Sequence, residues 1–344
     1  MIVTKSINFK QVLKATWHHL VWLFAFMGGM ASLYHFKIIQ VEIPWLPVSV
    51  IGTAVAFYVG FKNNQAYDRM WEARKIWGGI VNDSRSWGMM IDGFITNQFS
   101  ESKLELEEIQ KIKRRLIYRH IAWLYAHRAQ LLVPAPWEHI RQGRFTRRHA
   151  EKLQAKGGIG LVDKEDAGMS FVNLLPEEEQ KSLLEKANTA TQIINQQSRD
   201  LTQLREAGLI NDFRHMELEN LLRSFYALQG KNERIKKFPL PRQYANMSRY
   251  FVGIFIFLLP FSMMPELMAI SDLELWLSIP ITALLGWIYV MMEIIGDYSE
   301  NPFQGMGNDI PMLSLCRTIE IDLREMLEET DIPPSIKSRN GVLM

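Results

Sequence analysis

The run IPWLPVSVIGTAVAFYVGF, residues 43–61, decides how this chain is read. No Asp, Glu, Lys or Arg falls between Glu42 and Lys62, and roughly 20 apolar residues are what a helix needs to cross the hydrocarbon core of a bilayer. Three other runs share the property. No charged residue lies between Lys14 and Lys37, within YFVGIFIFLLPFSMMP (250–265), or within LWLSIPITALLGWIYVMM (275–292). The last two are short for full spans and lean on Arg249 and Glu293 to snorkel, or on protein to cover them. Four such runs in two hairpins, with Gly and Pro inside them, predict transmembrane helices rather than the core of a soluble protein.

The averages conceal this. The hydrophobic fraction of 48% and the net charge of +2 are ordinary, and nothing in them suggests a nucleic-acid partner. The ten Trp and eighteen Phe suit a membrane interface. Cys316 stands alone, so neither an internal disulfide nor a cysteine metal site can form. The N-terminus lacks an A-x-A-like cleavage site after a short apolar core and reads as a cytoplasmic tail.

Basic residues set the expected orientation. Lys5, Lys10 and Lys14 precede the first run, and the stretch after Lys62 is rich in Lys and Arg. The connection between the third and fourth runs carries Glu266, Asp272 and Glu274 and no basic residue. The positive-inside rule then puts both termini and the long middle region in the cytoplasm of a multi-pass protein of the cell inner membrane. The expected organisation is a tail and two spans over 1–62, a helical cytoplasmic region over 63–246, two further spans over 247–297, and a cytoplasmic C-terminal segment over 298–344.

Within the middle region, residues 102–132 read as one amphipathic helix ended by Pro134 and Pro136. Residues 156–170 read as a loop. Pro176 followed by Glu177, Glu178 and Glu179 marks a helix start. Helices are expected over 177–206 and 212–229, broken near Gly208, and over 312–329, with the final ten or so residues disordered. His120 and His127 are expected at an interface or the surface. No H-E-x-x-H, P-loop, G-x-S-x-G or paired dinucleotide fingerprint is present, so no enzyme, cofactor or metal site is expected.

The segment GFKNNQAYDRMWEARKIWGGIVNDSRSW, residues 60–87, has an unusual helical pattern. Asn64, Tyr67, Trp71 and Arg74 share one face, with Asp68, Glu72 and Lys75 on a neighbouring one. Such a stripe is costly to bury unless paired, which predicts a helix packed inside protein with its polar tips bonded.

This segment resembles the signature of bestrophins and their bacterial relatives. Residues 230–241 (GKNERIKKFPLP) and 300–320 (ENPFQGMGNDIPMLSLCRTIE) are similar to the family's segments before its third and after its fourth span. The resemblance covers nearly the whole chain. It implies an all-α membrane protein with four transmembrane helices and a helical cytoplasmic domain per subunit, pentameric around one central pore, in lipid, passing inorganic ions. It places the pore neck on the second span at Thr53, Phe57 and Phe61, the last following Gly60. Gly52, Ala54, Ala56 and Gly60 would let helices approach closely. Thr53 departs from the family's apolar residue, and its hydroxyl would make the outer neck more polar. A second, cytoplasmic constriction matches residues 208–215 (GLINDFRH), with Phe213 or Arg214 the candidates. Asn301, Pro302 and Phe303 match the motif that precedes the Ca²⁺ ligands of animal members. Here Asp309 is the one acidic residue of 304–309, too few for Ca²⁺. Glu300 and Asp309 are instead expected to cap, or to pair with Arg317. The neck carries no charge, so the sign of the permeant ion stays open. Chloride or another small anion is the first expectation. The alternatives are a cation (sodium) channel of the same architecture and a membrane protein without a pore.

Overall fold

The computed structural model describes residues 1–6, 9–101, 103–162 and 174–344. These form ten α-helices and no strand: α1 (Phe9–His35), α2 (Trp45–Phe94), α3 (Leu106–Leu132), α4 (Arg144–Gly157), α5 (Glu177–Leu184), α6 (Thr189–Glu206), α7 (Asp212–Lys237), α8 (Arg242–Met268), α9 (Asp272–Ser299) and α10 (Met312–Met326). They divide into two compact units, one of Thr4–Arg69 and Pro239–Glu300, the other of Met1–Val3, Met70–Phe238 and Asn301–Met344.

The first unit holds α1, the first half of α2, α8 and α9. Leu23, Met27, Val55, Val59, Phe255 and Leu259 build its core. Apolar side chains also cover its outside, among them Val21, Val50, Ile254, Phe257, Leu277 and Leu284. Helices apolar on all sides match lipid, which solvates the outer face as the core solvates the inner one. Among the described residues, three helices are long and apolar enough to cross a membrane, those beginning at Trp45, Arg242 and Leu273. Their most apolar windows are only 28–39% buried in the subunit. The expected first span, α1, is a 27-residue helix but is not among them. His18, His19, Thr16 and the flanking lysines dilute its apolar content.

The second unit buries an aromatic and aliphatic core around α3. The expected amphipathic helix is only half right. From Leu116 to Arg128 nearly every side chain of α3 is buried, because α6, α7 and α10 enclose it. His120 and His127 are therefore core residues, not surface ones. His120 Nε2 lies 2.9 Å from Ser84 Oγ, and His127 Nε2 lies 3.1 Å from Asn232 Nδ2. Burial holds both imidazoles neutral, at about 3 and about 4 respectively.

The helix expected over 177–206 is two helices. The first ends at Leu184, and Asn188 caps the second by accepting from Thr191 N at 3.0 Å. Gly208 does break the chain, at φ +70, where a Cβ would meet Phe99 O at 2.6 Å. The expected loop at 156–170 begins inside α4 and a 3₁₀ turn, and its residues 163–170 lie outside the described ones. The C-terminal residues are ordered. Val342 bridges Ile2, Ser314 N donates to Met344 O at 2.7 Å, and Met344 is buried, since Val342 and Met344 supply an apolar anchor.

Candidate functional site: the open face of the second helix

α2 has two faces with different fates. Val48, Gly52, Val55, Val59, Lys62 and Ala66 recur at helical spacing and are buried. Gly52 is required for this contact, because a Cβ there would meet the Phe255 ring at 2.7 Å. Hydrogen bonds fasten the same side of α2. Tyr289 Oη donates to Gly52 O at 2.9 Å, Tyr58 Oη to Tyr244 O at 3.0 Å, and Asn63 Nδ2 to Met292 O at 2.9 Å. The Lys62 ammonium donates to Glu293 Oε1 at 2.5 Å and to Ser248 Oγ at 3.1 Å.

The other face carries Thr53, Phe57, Gly60, Phe61 and Asn64, and it is open. Phe57 and Phe61 are 67% and 65% exposed. Two aromatic rings a turn apart, held out by a helix pinned from behind, can form an apolar ring only if other copies bring theirs. Thr53 Oγ1 donates to Ser49 O at 2.9 Å, so its hydroxyl proton is spent on its own helix and only its lone pairs face out. Of the small residues expected to admit neighbours, Gly52 serves contact within the subunit, whereas a Cβ on Gly60 would meet nothing within 4 Å.

The polar stripe corrects an expectation. Asn64, Tyr67, Trp71 and Arg74 are exposed on the subunit, not packed inside it. The buried face of that segment is instead Ala66, Met70, Ala73, Trp77 and Ile80. Glu72 is half-buried and accepts from Arg234 Nη2 at 2.5 Å.

At the start of α7, Asn211 Oδ1 caps Arg214 N at 2.9 Å. The Arg214 guanidinium donates to Phe94 O at 2.9 Å and Thr96 Oγ1 at 3.2 Å, and it lies over the Phe94 and Phe99 rings. It is occupied by its own subunit. Phe213 beside it is 79% exposed.

The segment after α9 is a closed turn. Phe303 N donates to Asn301 Oδ1 at 3.0 Å, Pro302 is buried, and Lys236 pairs with Glu138 while reaching Phe303 O. Asp309 caps the turn by accepting from Met306 N at 3.1 Å, and burial pushes its carboxyl up to about 7. Both expected acids accept a backbone N–H, as caps do. Glu300 accepts from Leu240 N at 2.8 Å and pairs with Arg242, and Arg317 meets Glu320 and donates to Pro334 O at 2.7 Å. Arg317 lies on the α10 face toward its own helix partner one turn on, which sequence proximity to Asp309 did not convey.

The model of the family described as bacterial/fungal bestrophin protein matches residues 4–325. The chain belongs to the bacterial/fungal bestrophin family. Among relatives of this bestrophin, the voltage-dependent anion channel-forming protein YneE of Escherichia coli is 25% identical over 84% of this chain and 79% of its own. A voltage-dependent anion channel-forming protein of Mesorhizobium japonicum is 26% identical over 84% and 77%. A crystal structure of a bacterial bestrophin homolog from Klebsiella pneumoniae covers 93% of this chain and 99% of that one, with a TM-score of 0.69 and 21% identity, and shares the fold.

Proposed function

We propose that this bestrophin is an anion channel whose pore is lined by the open face of α2. The carrying observation is that Phe57 and Phe61 stand exposed on the one α2 face that its own subunit leaves bare, while the opposite face is pinned by hydrogen bonds. The names of the relatives, voltage-dependent anion channel-forming proteins, supply the ion class. In this reading five copies surround one pore, with a neck of Thr53, Phe57 and Phe61, and α1 joins α2, α8 and α9 as a fourth membrane helix. Both termini face the cytoplasm of the inner membrane, in line with the basic residues before α1 and the acidic connection between α8 and α9. An apolar neck gates by dewetting, and the positive ring edges of phenylalanine favour an anion. Phe213 serves as the cytoplasmic constriction, since Arg214 is already bonded to Phe94 and Thr96. Asn64, Tyr67, Trp71 and Arg74 pack against the neighbouring subunit.

Purified oligomer in a planar bilayer with a KCl gradient tests the ion class. The expected reversal potential lies near the chloride equilibrium value. A potential near that of potassium keeps the pore and reverses its selectivity.

A further inference from the structure

We infer that Lys62 and Glu293, with Ser248, Asn63 and Gly296, form a latch that fixes the angle at which α2 presents its neck. The inference rests on the pore-lining reading of α2 and adds residues to it that do not touch the pore.

Lys62 follows Phe61 directly, so the direction of one side chain sets that of the other at the 100° step of a helix. Lys62 is 0% exposed, an expensive place for an ammonium without a partner. Its partners come from two other helices. Glu293 on α9 accepts from it at 2.5 Å, and Ser248 on α8 accepts at 3.1 Å while itself donating to Glu293 Oε1 at 3.0 Å. The next residue, Asn63, donates to Met292 O at 2.9 Å. Its amide oxygen faces Gly296, where an added Cβ would stand only 1.9 Å away. Two consecutive residues of α2, immediately after the neck, are thus gripped by one turn of α9.

Ordinary apolar packing tolerates small rotations of a helix. A buried ion pair does not, because turning α2 away leaves both charges unpaired in a medium that cannot solvate them. Glu293 Oε2 has no hydrogen-bond partner among the described residues, so the carboxylate has no second anchor to fall back on. No other charge lies between Glu42 and Lys62, so the pair is the charged member of the clamps that hold α2 beside the neck. The latch is a positioning device: its members act on permeation through Phe61.

The test is single-channel recording of the reconstituted oligomer carrying K62M, E293Q, K62R or G296A, with assembly checked by size-exclusion chromatography. K62M and E293Q change the local charge in opposite senses but break the same clamp. The expected result is a shift of open probability in the same direction for both, by about tenfold given the disturbance an unpaired buried charge causes. G296A is expected to follow them by displacing Asn63, and K62R to stay near wild type, with reversal potentials unchanged throughout. A variant that does not assemble is replaced by the swapped pair K62E/E293K, which is expected to gate as wild type. Unchanged gating in K62M and E293Q overturns the latch. So do reversal potentials that move in opposite directions with gating intact, because the pair then acts through its charge. Each variant is also recorded with cysteine at position 57. If a charged thiol reagent there leaves the current untouched, the pore-lining reading itself has failed and the latch falls with it.

Discussion

The two units of this bestrophin use the same helical periodicity against different solvents. In the unit of α1, α8 and α9, apolar residues occupy both the core and the outer surface, and the buried charges, Lys62, Glu293 and Glu300, sit in ion pairs. In the unit built around α3 the arrangement is inverted. The outside carries most of the unit's charged side chains, and the inside admits polar groups wherever a partner exists. Arg119 joins Glu179 at 2.7 Å and Asp200 at 2.6 Å, Lys236 joins Glu138, and two histidines sit among Trp77, Trp87, Trp123 and Phe225. The difference teaches that an exposed phenylalanine means different things in the two places. On the outer surface of the first unit it is ordinary. Only its position on the α2 face opposite the clamps singles out Phe57 and Phe61.

The sharpest way to break the comparison is to unpair a buried charge in the second unit. Glu138→Ala leaves the Lys236 ammonium with Phe303 O as its remaining acceptor and should cost roughly 3–5 kcal/mol. An exposed control, Glu178→Gln, should stay within about 0.5 kcal/mol. Thermal unfolding in detergent distinguishes the two, and equal melting temperatures would mean that the pair is not closed to water.

The histidines come next. Their folded-state values of about 3 and about 4 lie below the ordinary one, so the unfolded chain binds protons that the folded chain refuses. The stability they contribute is present above about 6.5 and declines as pH falls, by about 1.4 kcal/mol per pH unit for each histidine. Hydrogen exchange of the α3 core amides should therefore accelerate between pH 6 and 5, and H120Q/H127Q should flatten that slope. A slope unchanged in the double variant would assign it to carboxylates.

Much of this was legible in the chain. The charge-free runs marked α2, α8 and α9, and four-residue spacing put Thr53, Phe57 and Phe61 on one face before any coordinates. The rest depended on partners distant in sequence. Lys62 looked like the polar end of a span, yet its register with Val55 and Val59 placed it on the buried side, where Glu293 meets it. Asn64, Tyr67, Trp71 and Arg74 read as a buried stripe because such groups are costly to bury unless paired and commonly bond inside protein, yet the subunit leaves all four exposed. His120 and His127 read as interface or surface residues because the helices that enclose α3 lie far along the chain, and both are buried. The break between Leu184 and Thr189 turns on a short turn and the Asn188 cap, a local signal in a run of good helix formers.

Thr53 offers the smallest effect. Because its hydroxyl donates to Ser49 O, Thr53→Val removes a bond internal to one helix and should change stability by less than about 1 kcal/mol. It should also lower conductance modestly by making the outer neck drier. A large loss of assembly would show that Thr53 contacts another subunit by its hydroxyl.

The central claim, that the open face of α2 lines the pore, is tested most directly by cysteine modification. The native Cys316 is buried, with its thiol pushed up to about 12, and is inert background. Phe57→Cys and the buried neighbour Val55→Cys are recorded before and after a charged, membrane-impermeant thiol reagent. The account predicts that modification at position 57 alters the current and that position 55 is silent. Silence at 57, or an equal response at 55, would contradict it.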